Sequence, residues 1–123
     1  MVTERDGSKP GVQERSFAFA LRVLKLVRAL SRDAASQVIA RQIARSGTSI
    51  GANIEEAQGA HSKAEFARRM NIARSEALET RYWLKLIAES GLLPKRRLES
   101  LLQEANELVC ILVTIVKKSR GCE

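Results

Sequence analysis

Apolar residues recur along this chain with a helical period, in four blocks separated by short polar breaks. From Arg15 to Arg32 the pattern advances at about 100° per residue. Phe17, Ala20, Val23, Leu24, Val27 and Leu30 share one face, and Phe19 and Leu26 widen it to about half the circumference. The opposite half carries Arg15, Arg22, Lys25, Arg28 and Arg32, with Ala18 and Ala29 between them and no acid. Like charges along one stripe repel and destabilise an isolated helix. That stripe requires a partner.

A short break, SRDAAS, leads into a second helix. Ile39, Ile43, Ile50 and Ile54 stay within about 60° of one another only if the helix runs straight through Gly47 and Gly51. Each mid-helix glycine costs ~1 kcal/mol relative to alanine, and close approach of a neighbouring backbone is the compensating gain. The stretch RSGTSIGANIEEAQ is therefore read as helix, ending near Gln58 and Gly59. It is no phosphate loop: no strand precedes it, and no Lys-Ser/Thr follows its glycines.

Ser62-Lys63-Ala64-Glu65 has the form of a capping box that opens a third helix. Its core stripe is Phe66, Met70, Ala73, Ala77, Leu84 and Ala88. Lys63, Arg74, Arg81 and Lys85 flank that stripe on one side, and Glu65, Glu76 and Glu79 on the other. Trp83 lies among the glutamates, where a large aromatic side chain either meets another chain or folds over the edge of its own bundle. Gly91 ends this helix, and Pro94 suits the first turn of a fourth. The short connection makes the last two helices antiparallel neighbours. Leu98, Leu101, Ala105, Leu108, Leu112 and Ile115 form a 3-4-3-4-3 seam. Leu108 to Val116 is apolar nearly all round, which a helix on a monomer surface does not need. Burial between subunits is the expectation, with Trp83, Val109, Ile111, Val113 and Val116 as interface residues.

The expected organisation is a flexible N-terminal tail at 1–14, a four-helix domain at 15–118 and a C-terminal tail at 119–123. Composition agrees with an all-α class: aromatics are 4% of the 123 residues, and there are only two prolines. The longest near-apolar run, LVCILVTIV, has nine residues, where a spanning helix needs about 20; no membrane association is expected. Cys110 and Cys122 have no metal or redox spacing, and no signal peptide is apparent, so the expected compartment is the reducing cytoplasm.

Charge adds a partner class. Lys and Arg number 21 against 14 Asp and Glu, a net of +7, and such an excess attracts polyanions. Catalytic chemistry finds no foothold. His61 is the single histidine, and Ser46, Thr48 and Ser49 lack a pattern that marks a nucleophile and its base. Glu55 and Glu56, being adjacent, point about 100° apart on a helix. One histidine and two distant cysteines make no ordinary metal site. The expectation is a protein without enzymatic activity, metal or cofactor.

Three segments, RSGTSIGANIEEA (45–57), SKAEF (62–66) and EALETRYWLKLIAESGLL (76–93), make the chain similar to the bacterial four helix bundle protein family over roughly residues 15–118. That family includes the protein encoded within the intervening sequence of 23S ribosomal RNA genes and the accessory variability determinant of diversity-generating retroelements. The resemblance implies an antiparallel up-down four-helix bundle, a ring-like homopentamer and no enzymatic activity. For the retroelement branch it further implies nucleic-acid binding through basic surfaces and association with a reverse transcriptase. The expected RNA or DNA surface comprises Arg15, Arg22, Lys25, Arg28 and Arg32, extended by Arg41, Arg45, Arg74, Arg81 and Lys85. The alternative is a structural protein–protein adaptor of the ribosomal RNA intervening-sequence type. In that case the helix-one stripe pairs with the Glu65/Glu76/Glu79 stripe of a neighbouring subunit.

Overall fold

Four α-helices account for nearly all of residues 11–121, the part of the chain that the computed structural model describes. They are α1 (Val12–Ala29), α2 (Ala34–Gln58), α3 (Lys63–Ser90) and α4 (Lys95–Ser119). No strand occurs among the described residues. Helix α1 begins at Val12, three residues before the expected domain boundary; residues 1–10 of the expected N-terminal tail lie outside the described residues, as do Cys122 and Glu123.

Local chemistry sets the breaks. Helix α1 stops at Ala29, where Leu30 turns extended, so Arg32 belongs to the connection and not to the helix. The Asp33 carboxylate caps α2 by accepting from the Ser36 N–H at 2.9 Å. It also accepts from the Ser31 hydroxyl. These hydrogen bonds, that from Ser31 first, hold the Asp33 carboxyl below its ordinary pKa. Ser62 caps α3 by accepting from Glu65 N–H at 3.1 Å. The reciprocal half of the expected capping box is displaced by one residue, because the Glu65 carboxylate lies 3.4 Å from the His61 N–H. Gly91 ends α3 in the left-handed region at φ 80°, which favours glycine. Pro94 is the N-cap residue of α4, one position before the expected first turn.

Small residues on α2 let two neighbours approach. A Cβ on Gly47 would lie 2.9 Å from a Val23 methyl of α1, and one on Gly51 would lie 3.2 Å from the Ser16 hydroxyl. The partner number falls from 23 to 16 on α1 as it rises from 47 to 51 on α2. On the other side of α2, Ser46 meets Thr80 and Asn53 meets Arg69, again in opposite numerical order. Along α1 and α4, Arg15 meets Glu104 and Arg22 meets Ser100. Helix α4 also packs on α3, which closes the arrangement round one core.

The close approach at Gly47 and Gly51 fixes the rotation of α1. Ser16, Phe19, Val23, Leu26 and Leu30 face inward. Phe17 (67% exposed) and Leu24 (37%), both expected in the core, lie outside with Leu21. The apolar half of α1 is wider than the contact, and seating Val23 and Ser16 against glycines selects its other flank. Helix α4 drifts similarly: its last inward residue is Val116 and Ile115 is half-buried, as expected when a 3.6-residue helix departs from a 3.5-residue seam.

Two expected interface residues belong to the core. Val109 and Val116 are 8% and 5% exposed within the single chain, so they are already covered without a partner. Val113 is partly buried against the same core, whereas Ile111 is half-exposed. Trp83 also packs partly against the core of its own bundle, and its indole N–H donates to Glu79 Oε2 at 3.0 Å. Exposed Tyr82 meets it edge-on at 5.0 Å.

One buried polar contact had no signal in the apolar pattern. Ser46 and Thr80, both fully buried, bring their hydroxyls to 2.8 Å between α2 and α3. Thr80 also lies 2.8 Å from the Glu76 carbonyl oxygen, which can only accept, so Thr80 donates there and receives the Ser46 proton. Thr80→Val should destabilise by about 1–3 kcal/mol because Ser46 loses its acceptor. Ser46→Ala combined with Thr80→Val should recover part of that loss, which denaturant melts of the double-mutant cycle would measure.

Candidate nucleic-acid interface

The ten expected basic residues divide according to the acids that packing brings near them. Arg15 is half-buried and clamped: its Nε and Nη2 reach Glu104 at 2.9 and 2.8 Å, and Nη2 also reaches Glu107. The hydrogen bonds, that to Glu104 foremost, hold its pKa above the ordinary arginine value. Arg15 thus ties α1 to α4. Arg45 pairs with Glu76 and Glu79 of α3, at 3.2 Å to Glu76 Oε1. The bond to Glu79 raises the Arg45 pKa, and that bond, followed by the one from Trp83, lowers the Glu79 pKa. Arg74 donates to Asn71 at 2.8 Å, and Arg81 to Asn106 of α4 at 3.1 Å. Arg69, outside the expected set, bonds Asn53 and pairs with Glu56.

What remains is concentrated on α1 and its C-terminal connection. Arg22, Lys25, Arg28 and Arg32 are exposed and have no ion pair among the described residues. Arg41 on α2 and Lys85 on α3 are exposed and unpaired in the same sense, but they do not line the cleft that Arg22 and Lys25 share. Arg22 instead reaches across to α4, donating to Ser100 Oγ at 2.7 Å. With Lys25 it lines a cleft shared with Arg97. Arg97 lay outside the expected surface. Its signal was the run Lys95-Arg96-Arg97 in the first turn of α4, which has no acid and no side-chain N-cap. Cations there oppose the helix dipole.

The outward flank of α1 next to α2 has a different character. Phe17, Leu21 and Leu24 are exposed at successive turns. Phe17 and Ala20 form one wall of a groove of about 670 Å³, and Thr48, Gly51 and Ala52 form the other. Helix α1 therefore turns Arg22 and Lys25 towards α4 and Phe17 towards α2, while Arg28, four residues after Leu24 and seven after Leu21, shares the outer stripe of those leucines. Among the described residues no cluster of His, Cys, Asp and Glu could hold a metal ion, and no helix is long and apolar enough to cross a membrane.

Four helices packed round one core make this an all-helical bundle. The model of the 23S rRNA-intervening sequence protein family matches residues 9–114, and the chain belongs to that family. A solved structure agrees with it: a protein of unknown function from the S23 ribosomal protein family of Bacteroides thetaiotaomicron is 40% identical, with a TM-score of 0.82. The match covers 87% of this chain and 99% of that one. Among curated proteins nothing matches significantly.

Proposed function

We propose that this protein is a non-enzymatic accessory factor of the cytoplasm that binds RNA or DNA through the unpaired cations of α1. It acts as an oligomer, a pentameric ring of antiparallel up-and-down bundles, and a reverse transcriptase is the candidate protein partner. The observation that carries the nucleic-acid reading is the contrast in pairing. Arg15 and Arg45 are neutralised inside the chain, while Arg22, Lys25, Arg28 and Arg32 are left exposed together. The same contrast counts against the adaptor reading. Glu76 and Glu79, which a neighbour's basic stripe was to meet, already hold Arg45. Assembly draws support from exposed Phe17 and the apolar groove that it forms with Ala20, Gly51 and Ala52, a surface that a second copy would remove from water. Repetition round a ring multiplies modest phosphate contacts.

Reversing Arg22, Lys25 and Arg28 to Glu together is expected to abolish binding to a labelled RNA or DNA while helix content and oligomer size are unchanged. All three side chains are exposed, so the variant loses no core packing. Binding as tight as wild type at ~150 mM salt would remove α1 as the site. Dissociation into folded monomers would favour the adaptor, because the stripe was then holding subunits together.

A further inference from the structure

Arg22, Lys25 and Arg97 open onto one cleft of about 210 Å³ between α1 and α4, lined also by Leu26 and Leu101. The two leucines are buried and make an apolar floor. Arg22 is oriented there by its 2.7 Å bond to Ser100 Oγ. Neighbouring acids are committed elsewhere. Glu104 and Glu107 hold Arg15, and Glu89 pairs with Lys95. Glu99 precedes Asn106 by seven residues and so shares its face of α4, the face that meets Arg81 of α3.

We propose that this cleft is a phosphate-binding site. Two guanidinium forks and an ammonium converge there without a carboxylate, an arrangement whose mutual repulsion a tetrahedral oxyanion relieves. The volume is below the usual range for whole small-molecule ligands, about 300–1,000 Å³, and the cleft has no aromatic wall on which a base would stack. It suits a phosphate group and leaves the rest of the ligand outside. The nucleic-acid reading above enters only in naming the carrier, a phosphodiester of a polynucleotide. Arg97 and Ser100 then extend the α1 surface onto α4, with Ser100 positioning Arg22.

Melting of the full chain with inorganic pyrophosphate, alongside titration of a labelled single-stranded RNA, tests the site. Arg97→Gln and Ser100→Ala are compared with Arg41→Gln, an exposed cation on α2. Pyrophosphate should raise the melting temperature of wild type and Arg41→Gln, much less that of Ser100→Ala, and not that of Arg97→Gln. Arg97→Gln should also lower the salt slope of RNA binding by about one. Since Arg97 is exposed, its variant should melt without ligand no lower than wild type. No shift in wild type, or an equal shift in Arg97→Gln, overturns the site. If RNA still binds in that event, the α1 reading survives without the cleft. A pyrophosphate shift that depends on Arg97 supports the cleft even if RNA does not bind; the carrier is then a smaller phosphate and the nucleic-acid reading fails.

Discussion

Val109→Lys is expected to cost the bundle much of its stability, whether or not subunits are present. Val109 is 8% exposed in the isolated chain and belongs to the same core as Leu108 and Leu112. A lysine there loses the valine packing and places an ammonium against apolar walls without a counter-charge. Leaving a charge uncompensated in an interior costs on the order of 3 kcal/mol, against a total of about 5–15 kcal/mol for a typical domain. Ile111→Lys and Leu21→Lys are the contrasting changes, because those side chains are half-exposed and exposed. Both should keep full helix content in circular dichroism. If either position lies between subunits, light scattering should show that variant as a folded monomer. Should Val109→Lys melt like wild type, the burial of α4 within its own chain is wrong.

Gly47→Leu is the second change with a large expected effect. The glycine's missing Cβ leaves space already filled by Val23, whose methyl and Cβ atoms would lie 2.9–3.2 Å from an added carbon. Val23 is fully buried and β-branched, so it has little rotamer freedom with which to withdraw. Overpacking of this kind costs about 1–3 kcal/mol and occasionally more; a leucine that must separate two helices belongs at the upper end. Gly51→Ala is milder. Its Cβ would meet the Ser16 hydroxyl at 3.2 Å, and the gain in helix propensity of ~1 kcal/mol offsets part of the strain. Denaturant melts should therefore rank Gly47→Leu well below Gly51→Ala. Equal stability of the two would show that Gly47 does not seat α1.

The sequence was most informative where one residue type does one job. Isoleucines at helical spacing through Gly47 and Gly51 mark α2 as continuous, and Ser62 and Gly91 mark the ends of α3. Rotation is harder to read. Eight apolar residues on α1 cover half its surface, and periodicity does not say which part of that arc meets α2 and α4. The contacts at Gly47 and Gly51 decide it, leaving Phe17 and Leu24 outside. The apolar run at 108–116 posed a related difficulty. Residues on opposite sides of α4 can face two helices of one bundle or a second subunit, and in the single chain Val109 and Val116 take the first course.

The candidate site was legible in composition but not in pairing. The cations from Arg15 to Arg32 stand out because no acid lies among them in the sequence, yet Arg15 finds Glu104 and Glu107 some ninety positions along the chain. Arg45 likewise finds acids on α3. Only the packing of α1 on α4 and of α2 on α3 separates neutralised arginines from exposed ones. Arg97 joins the site for the same reason: its partnership with Arg22 and Lys25 exists only across the α1–α4 cleft.

Affinity of the wild-type protein for a labelled RNA, measured from ~50 to ~200 mM salt, tests the central claim most directly. Five ionic contacts, one for each of Arg22, Lys25, Arg28, Arg32 and Arg97, predict a log–log slope of about −3.5 per protomer on a single strand, or about −4.5 on duplex DNA. A ring engaging several protomers makes it steeper. Similar slopes for unrelated sequences are expected, since phosphates carry no sequence information. Absence of binding at the lowest salt, or an affinity that barely changes across the series, would contradict a nucleic-acid role for the basic flank of α1.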